Sequence, residues 1–526
     1  MTDKQPPRHG RSSEPTLGAR RPNRDKPGAK AGPKPGARSG PKSSGKHGPA
    51  RNKQHRTQPR DDQRSRAGQR TRHASQTAGN KTGKATAGLT SRYLALTIIE
   101  RVLRDHASLD VAIPEALADE RFVALEPRDK AFARLLAMTV LRQHASLQAV
   151  VDTFLQKPLS ANAQRMNIIL LAGAAELILL GIAPHATIST AVELTRLSQR
   201  TQHFDKLANA VLRRVSETGG KIFAEKDAAD SNVPEWMMDG WRATYGNDVA
   251  ARIAAASLQE AALDLTVKDS PLEWASRLEA IVLPTGSLRR AAGGRIEDLD
   301  GYSEGGWWVQ DSAAALPANL LGAKPGMRIL DLCAAPGGKT AQLCAAGADV
   351  TAVDVSLTRI ARLKENLDRI GFDAATVAAD ATTWRNVEPF DAVLIDAPCT
   401  ATGTIRRHPD ILHLKRQEDV GRLAEMQLRL LKNAASLVAV GGTLVYCTCS
   451  LEPAEGEEQI AHFLENPGAA RLKFQRRPIT AQEVGGQTDW ITATGDLRTL
   501  PFQLPAENPA LAGIDGFYAA RLERLA

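Results

Sequence analysis

After Trp307 the sequence alternates short apolar runs with polar stretches of helical character, and this alternation constrains the fold more than any other feature. The apolar, β-branched runs read MRILDL, ADVTAVDV, DAVLID and GGTLVYC. Such runs are typical of strands buried on both faces, and helices between them indicate a parallel sheet. We therefore predict an α/β domain over residues 307–526. Its ligands should bind beyond the carboxyl ends of the strands.

Upstream of this domain, residues 87–220 show helical periodicity. Apolar residues recur at three- and four-residue spacing in SRYLALTIIERVLRD, RDKAFARLLAMTVLRQHASLQAVVDTFL and KLANAVLRRVSE, with breaks such as Pro158 and Pro184. After Pro184 we expect a capped helix that begins at Ser189 or Thr190. Residues 230–306 mix helical and strand patterns, with DLTVK and EAIVL as short strands, and predict a small α+β connecting domain.

The excess positive charge of the chain lies in its first residues. From Met1 to Lys84 there are 22 Lys and Arg against 5 Asp and Glu, whereas the remainder has 46 against 54. This stretch is rich in Gly, Pro and Ser and has few large apolar residues, so we predict a disordered tail over residues 1–86. A basic arm binds phosphates without sequence preference, which makes it a candidate auxiliary nucleic-acid contact. A solubilising extension is the alternative.

Cysteine and hydropathy patterns exclude several classes. All five cysteines lie between Cys333 and Cys449, and no pair has the C-x-x-C spacing of a zinc site, so neither a disulfide framework nor a metal site is predicted. The apolar run from Asn167 to Ala183 is short of the ~20 residues that span a membrane and contains Glu176. We expect a cytoplasmic, reduced protein, without membrane contact, that acts as a monomer.

A glycine-rich turn follows the first strand of the α/β domain. It contains Cys333, Ala334, Ala335, Pro336, Gly337, Gly338 and Lys339. A Walker A loop would need Gly in place of Cys333, and the G-x-G-x-x-G dinucleotide fingerprint is absent. The remaining interpretation is a Rossmann-like S-adenosylmethionine turn. Asp354 lies 23 residues after Asp331, near the ~20-residue spacing of a ribose-binding acid. Asp380 follows the next segment and could accept from the adenine amino group, although either acid alone could be a helix cap.

Two later strand ends carry cysteines, in Asp396-Ala397-Pro398-Cys399 and Tyr446-Cys447-Thr448-Cys449-Ser450. A single free cysteine is more often a small buried hydrophobe than a catalyst. A thiolate, however, is suited to cytosine chemistry, because its addition to C6 makes C5 nucleophilic and it leaves again by elimination. Asp396 could bind the amidine edge of the base. Arg406, Arg407 and His408 could bind phosphate or close over the target, and solvated loop charge is the alternative.

The motifs CAAPGGKT, DAPCTATG, IRRHPDI and VYCTCSLEP together resemble the Sun/Fmu family of bacterial ribosomal RNA cytosine-5 methyltransferases. The resemblance runs from about Leu89 to the closing DGFYAARL, and the helical segment resembles the RNA-binding fold of the NusB family. It implies S-adenosylmethionine contacts at Cys333 to Lys339, Asp354, Asp380 and Asp396. It also implies Cys449 as nucleophile, Cys399 as the residue that assists release of the adduct, and a 16S ribosomal RNA cytosine as substrate.

The sequence departs from that family at Thr400-Ala401, where Ser-Gly is common, and at Cys447, where Ser is usual. We expect the first to tune the loop and Cys447 to be packed rather than reactive. A DNA methyltransferase would instead use Cys399 of the Pro-Cys dipeptide as nucleophile. The TCS motif and the helical domain favour RNA. Transfer RNA as substrate, or a non-catalytic antitermination or assembly factor, are further alternatives.

Overall fold

The computed structural model describes residues 88–225, 228–467 and 472–526. The predicted basic tail, residues 1–86, lies outside the described residues. The described chain begins with an all-helical region, continues through a small region with its own sheet, and ends in an α/β domain, as predicted.

The helical region has a continuous apolar core, to which every long helix contributes. Its helices are α1 (88–103), α2 (Leu109–Leu117), α3 (Glu120–Val123), α4 (Pro127–Arg142), α5 (His144–Thr153), α6 (Gln164–Ile178), α7 (Pro184–Arg196), α8 (Asp205–Arg214) and α9 (Gly220–Glu225). The helix expected from Ser189 or Thr190 begins at Pro184, so that prediction was wrong. Proline is favoured at the first position of a helix, where no N–H bond is lost.

The apolar run that contains Glu176 forms the core helix α6. Glu176 is buried and accepts from the Arg92 guanidinium at 2.7 and 2.8 Å and from Thr187 Oγ1 at 2.9 Å. A buried carboxylate requires such partners, because desolvation of an uncompensated charge is costly. Among the described residues, no helix is long and apolar enough to cross a membrane.

The connecting region combines helices with a four-stranded antiparallel sheet of order β2-β3-β1-β4. Its elements are α10 (Ala228–Asn232), α11 (Glu235–Tyr245), α12 (Asn247–Ser257), β1 (Leu263–Val267), α13 (Pro271–Arg277), β2 (Ile281–Val282), β3 (Leu288–Arg290) and β4 (Trp307–Val309). Because β4 pairs with β1, this sheet continues to Val309, beyond the predicted boundary at residue 306. The buried Arg289 pairs with Asp264 and also donates to Gly513 O, which connects this sheet to the C-terminal segment.

The α/β domain is built on an eight-stranded sheet in which seven strands follow the order β10-β12-β9-β8-β5-β6-β7 and β11 pairs with β12. Its elements are α14 (Ser312–Leu320), β5 (Arg328–Leu332), α15 (Gly338–Ala345), β6 (Asp349–Asp354), α16 (Leu357–Ile370), β7 (Ala375–Ala378), β8 (Phe390–Asp396), α17 (Ile411–Leu414), α18 (Gln417–Leu437), β9 (Val438–Thr448), α19 (Glu457–Glu465), β10 (Phe474–Arg476), β11 (Leu497–Thr499) and β12 (Phe517–Arg524). The strands β5 to β9 are parallel, and β12 runs antiparallel to β9.

Alternate residues of the central strands enter cores on opposite faces of the sheet. Leu330 and Leu332 pack with α18 and α19, whereas Ile329 packs with α14. This is the period of two that an extended strand imposes. The chain crosses from β5 to β6 on one side and later to β8 on the other, which creates a topological switch point at the carboxyl end of β5.

The helical region contacts the α/β domain through the segment that follows Cys399. Asp410 Oδ2 accepts from Leu109 N at 2.9 Å, and Arg142 donates to Arg406 O at 3.0 Å. His413 Nε2 donates to Leu141 O at 2.8 Å, and its ring lies edge-on to His144, with centroids 5.2 Å apart. The helical region is therefore hydrogen-bonded to the loop that carries a candidate catalytic thiol.

This contact predicts an acid-sensitive stability. Burial, together with the nearby His413, lowers the pKa of His144 from 6.5 to about 4. Between those pH values the unfolded chain binds a proton that the folded chain does not, so stability falls as pH drops through this window. His144→Gln should reduce the loss between pH 6.5 and 4 by on the order of 1–2 kcal/mol, because the ring is only partly buried.

The measurement is the urea midpoint as a function of pH, with the exposed His203→Gln as matched control. An unchanged pH slope in His144→Gln would contradict the assignment.

Candidate active site

The glycine-rich turn connects β5 to α15 at the switch point. Cys333 has a φ of 62° and Gly337 a φ of 102°, and a Cβ on Gly337 would lie 3.0 Å from Leu363 Cγ. The N–H groups of Ala334, Ala335 and Gly337 donate to Val353 O, Asp354 Oδ2 and Ala334 O. These three N–H groups are therefore already paired, two of them with β6 and one within the turn. The part that can offer N–H groups to an anion is therefore the first turn of α15, from Gly338.

Side chains of α16 contact the same turn, and the sequence analysis did not identify them. Arg359 Nη2 donates to Ala335 O at 2.5 Å, and Asn366 Nδ2 donates to Pro336 O at 2.9 Å. Both lie on a helix with no motif, so only the fold brings them to the turn.

Asp331, the fourth residue of β5, lies beneath the turn. Thr340 Oγ1 donates to its Oδ2 at 2.6 Å, and its Oδ1 is buried with no hydrogen-bond partner among the described residues. Burial raises the pKa of Asp331 to about 7. An incompletely satisfied carboxylate at a ligand-binding edge indicates a functional site rather than a packed core position.

Asp354 ends β6, and Asp380 follows β7, the strand that pairs with β6. Asp354 is buried at the end of β6, accepts from Ser356 N at 3.1 Å and forms an ion pair with Arg359 at 2.9 Å. Asp380 is exposed after β7 and accepts from Thr382 N and Oγ1, which lowers its pKa. Ala379 N donates to Asp354 O, so the two segments are directly connected. Asp380 thus makes the local hydrogen bonds of a helix cap, which was the alternative interpretation. It also lies at the strand end where an acceptor for the adenine amino group is required.

Lys339 and Asp396 form an ion pair across the switch point. Lys339 Nζ lies 2.7 Å from Asp396 Oδ2, and the lysine side chain is 8% exposed. Burial opposes the charge of Lys339, but Asp396 and the neighbouring Cys447 hold its pKa above the ordinary value. Cys447 is buried, as predicted, and its thiol donates to Asp396 Oδ1 at 3.6 Å. Asp396 is thereby oriented by two side chains from different elements.

The two candidate thiols lie together although they are 50 residues apart in sequence. Cys399 Sγ and Cys449 Sγ are 3.5 Å apart, and both side chains are partly exposed. The hydrogen bond with Cys449, followed by burial, raises the pKa of Cys399 well above its ordinary value. At this distance either thiol can donate a hydrogen bond to the other.

In the loop after Cys399, Arg406 and Arg407 make contacts within the fold that the sequence did not indicate. Arg406 is 2% exposed and donates to Ala512 O at 2.8 Å, so both the phosphate-binding and the solvated interpretation were wrong for this residue. Arg407 forms an ion pair with the buried Asp515. Burial lowers the pKa of His408.

Along the sheet edge the order of these groups is fixed. Asp380 follows β7, Asp354 ends β6, the glycine-rich turn follows β5, Asp396 ends β8, and Cys449 follows β9. The acids suited to a nucleoside lie on one side of the turn and the thiols on the other. This arrangement can hold a nucleoside cofactor beside a nucleophile.

Comparison with known proteins agrees with this geometry. Residues 318–523 match the family 16S rRNA methyltransferase RsmB/F, and residues 89–217 match the NusB family. The ribosomal RNA small subunit methyltransferase B of Xanthomonas campestris pv. campestris is 33% identical over 455 residues, which cover 83% of this chain and 98% of the relative. That of Xylella fastidiosa is 34% identical over 450 residues, covering 83% and 98%. The solved structure of PH0851 has a TM-score of 0.62 at 22% identity, covering 83% of this chain and 98% of that one, which supports the fold.

Fold, site and family matches define an S-adenosylmethionine-dependent RNA methyltransferase with an N-terminal NusB-type helical domain. The predicted fold class and cofactor are confirmed at this level. The chain belongs to the ribosomal RNA small subunit methyltransferase B family, because relatives of that name match almost along their whole length.

The departure at Ala401 predicts a stability change. Ala401 has a φ of 60°, in the left-handed region that glycine adopts without strain. Ala401→Gly should relieve ~1–2 kcal/mol of strain and lose ~0.5–1 kcal/mol to backbone entropy, a net gain of up to about 1.5 kcal/mol. The exposed Ala255→Gly, within α12, is the opposite-sign control and should lose about 1 kcal/mol. Unfolding midpoints in urea test both, and a loss at Ala401→Gly would mean that its methyl group packs more favourably than the strain costs.

Proposed function

We propose that this protein transfers a methyl group from S-adenosylmethionine to C5 of a cytosine in 16S ribosomal RNA, through a covalent bond between Cys449 and C6. The observation that carries the proposal is the pair of thiols, 3.5 Å apart, beside Asp396 at the carboxyl edge of a methyltransferase sheet. The family matches support ribosomal RNA as the substrate class, since the relatives bear that name.

The residues at the switch point fit the cofactor. Asp354 offers a buried carboxylate for the ribose hydroxyls, Asp380 an exposed acceptor for the adenine amino group, and the first turn of α15 a site for the methionine carboxylate. The buried, incompletely satisfied Asp331 supports a ligand at this edge. When bound, S-adenosylmethionine supplies the electrophilic methyl group.

Cys449 is the nucleophile in this proposal. Its thiolate forms a bond to C6 of the cytosine, and C5 thereby becomes nucleophilic enough to accept the methyl group. Asp396, oriented by Lys339 and Cys447, accepts hydrogen bonds from the amidine edge of the base, and its negative charge favours protonation of N3, which takes up the electrons released by the addition. A base in the site then takes the C5 proton, the electrons of the C5–H bond form the C5=C6 double bond, and the Cys449–C6 bond breaks so that the thiolate is regenerated.

Cys399 assists this release. The 3.5 Å separation of the sulfur atoms lets Cys399 donate a hydrogen bond to the Cys449 sulfur as the Cys449–C6 bond breaks. The match of residues 318–523 to an RNA methyltransferase family supports this RNA-type assignment of the two cysteines over the DNA-type assignment, in which Cys399 would attack.

The helical domain is proposed to bind the RNA, with the basic tail as an auxiliary contact. The hydrogen bonds from α2 and α4 to the segment after Cys399 fix this domain relative to the active site. The monomeric state remains a prediction.

Cysteine substitutions test the assignment of roles. Cys449→Ala should reduce methyl transfer to undermodified 16S RNA by more than about a thousandfold, because the nucleophile is lost. Cys399→Ala should instead accumulate a protein–RNA adduct, visible as a denaturant-resistant gel shift. Cys344→Ala, whose thiol contacts Asp373 O away from the pair, is the control and should retain activity. An adduct that requires Cys399 and survives loss of Cys449 would reverse the roles.

The tail is tested by salt dependence. Removal of residues 1–84 takes away 22 basic side chains and should lower the slope of log affinity against log salt by at least ~2, since each lost single-strand phosphate contact accounts for ~0.7. A full-length tail with every Lys and Arg replaced by Gln separates charge from length and should behave like the deletion. An unchanged slope would exclude the tail from RNA binding.

A further inference from the structure

A fully buried carboxylate lies between the two cysteine segments. Glu455 is 0% exposed and ends the short helical turn Pro453–Glu455, six residues after Cys449. Neither thiol is among its hydrogen-bond partners, so it is not part of the chemistry described above.

Glu455 accepts hydrogen bonds from the residue that follows each cysteine. Thr400 N donates to Oε1 at 3.0 Å, and Thr400 Oγ1 donates to Oε2. Ser450 Oγ donates to Oε2 at 2.6 Å. One carboxylate therefore connects Thr400, next to Cys399, to Ser450, next to Cys449.

Side chains from α18 and β9 also form hydrogen bonds with Glu455. Gln427 on α18 donates to Glu455 Oε1 at 3.0 Å and to Pro398 O at 2.9 Å. Tyr446, on β9, donates to Glu455 O at 2.7 Å and to Gln427 Oε1 at 3.1 Å. The carboxylate is thus fixed against a helix, and the backbone of Glu455 is fixed against the strand that leads to Cys449.

The strands themselves do not set the distance between the thiols. The pairing of β8 with β9 ends at Asp396 and Cys447, before either reactive cysteine. Beyond that point the two segments are connected by Gly403 N, which donates to Cys449 O at 2.9 Å, and by Leu451 N, which donates to Thr402 Oγ1 at 3.0 Å. Next to the cysteines themselves, the Thr400 and Ser450 hydroxyls lie 3.1 Å apart, and both donate to Glu455. Loss of the Glu455 carboxyl oxygens would leave the buried donors of Thr400 and Ser450 unsatisfied, which is costly.

We infer that Glu455 is a positioning residue that sets the separation of Cys399 and Cys449, so that the second thiol can reach the adduct formed by the first. This inference rests on the proposed function, because it requires both thiols to act on one substrate. A displacement of about 1 Å at a reacting group can cost on the order of a hundredfold in rate. Substrate affinity should be spared, since Glu455 lies beneath the loops and away from solvent.

The test replaces Glu455 by Gln, which keeps the volume but places an amide donor against the donors of Thr400 and Ser450. We expect kcat for methyl transfer to fall at least tenfold, the KM values for RNA and S-adenosylmethionine to stay within twofold, and the covalent adduct to persist longer than in the wild type. Glu458→Gln, on the exposed side of α19, is the matched control and should be unaffected.

A second pair of variants applies if Glu455→Gln does not fold. Thr400→Val removes only the hydroxyl donor at constant shape and should lower kcat in the same direction, whereas Thr400→Ser keeps the donor and should retain wild-type kcat. Unchanged kcat and adduct lifetime in Glu455→Gln or Thr400→Val, or a parallel rise in KM, would overturn the inference. Wild-type protein that forms no cysteine adduct would instead overturn the proposed function, so the two failures are distinguishable.

Discussion

The parallel pairing of β5, β6, β8 and β9 is the constraint on which the rest of this site depends. Parallel strands have their carboxyl ends at one edge, so Asp354, the glycine-rich turn, Asp396 and Cys449 meet there although about a hundred residues separate them in sequence. The Lys339–Asp396 ion pair then connects the turn after β5 to the end of β8. The acids suited to the cofactor and the two thiols are thereby held in one arrangement, on opposite sides of the switch point.

The helical domain is also positioned relative to this edge of the sheet. Its contacts are made to Arg406, Asp410 and His413, all within fifteen residues of Cys399. An RNA bound by that domain would be presented at a fixed distance from the reactive pair. Arg289, which is paired with Asp264 inside the small antiparallel sheet, donates to Gly513 O and so connects that sheet to the C-terminal segment.

Much of this was predictable from sequence, because local signals and the rule for parallel sheets act together. The runs MRILDL and DAVLID form β5 and β8, and the acids and cysteines at their ends follow from that. The predictions that were wrong depended on contacts between residues far apart in sequence, or on the exact residue at which a helix begins. Arg406 donates to Ala512 more than a hundred residues later, and Pro184 begins a helix that the cap residues suggested would begin later. Glu455 was missed because a single glutamate after a strand carries no chemical pattern until the fold brings Thr400 and Ser450 to it.

The central claim is that Cys449 bonds to C6 of a cytosine while C5 is methylated. RNA that contains 5-fluorocytidine tests it most directly, because fluorine replaces the proton whose loss permits release. With S-adenosylmethionine present, the account predicts a stable protein–RNA adduct, and fragment masses of the digested peptide should place the modified, methylated nucleotide on Cys449 rather than on the neighbouring Cys447. A nucleotide on Cys399, or methylated RNA with no adduct, would contradict it.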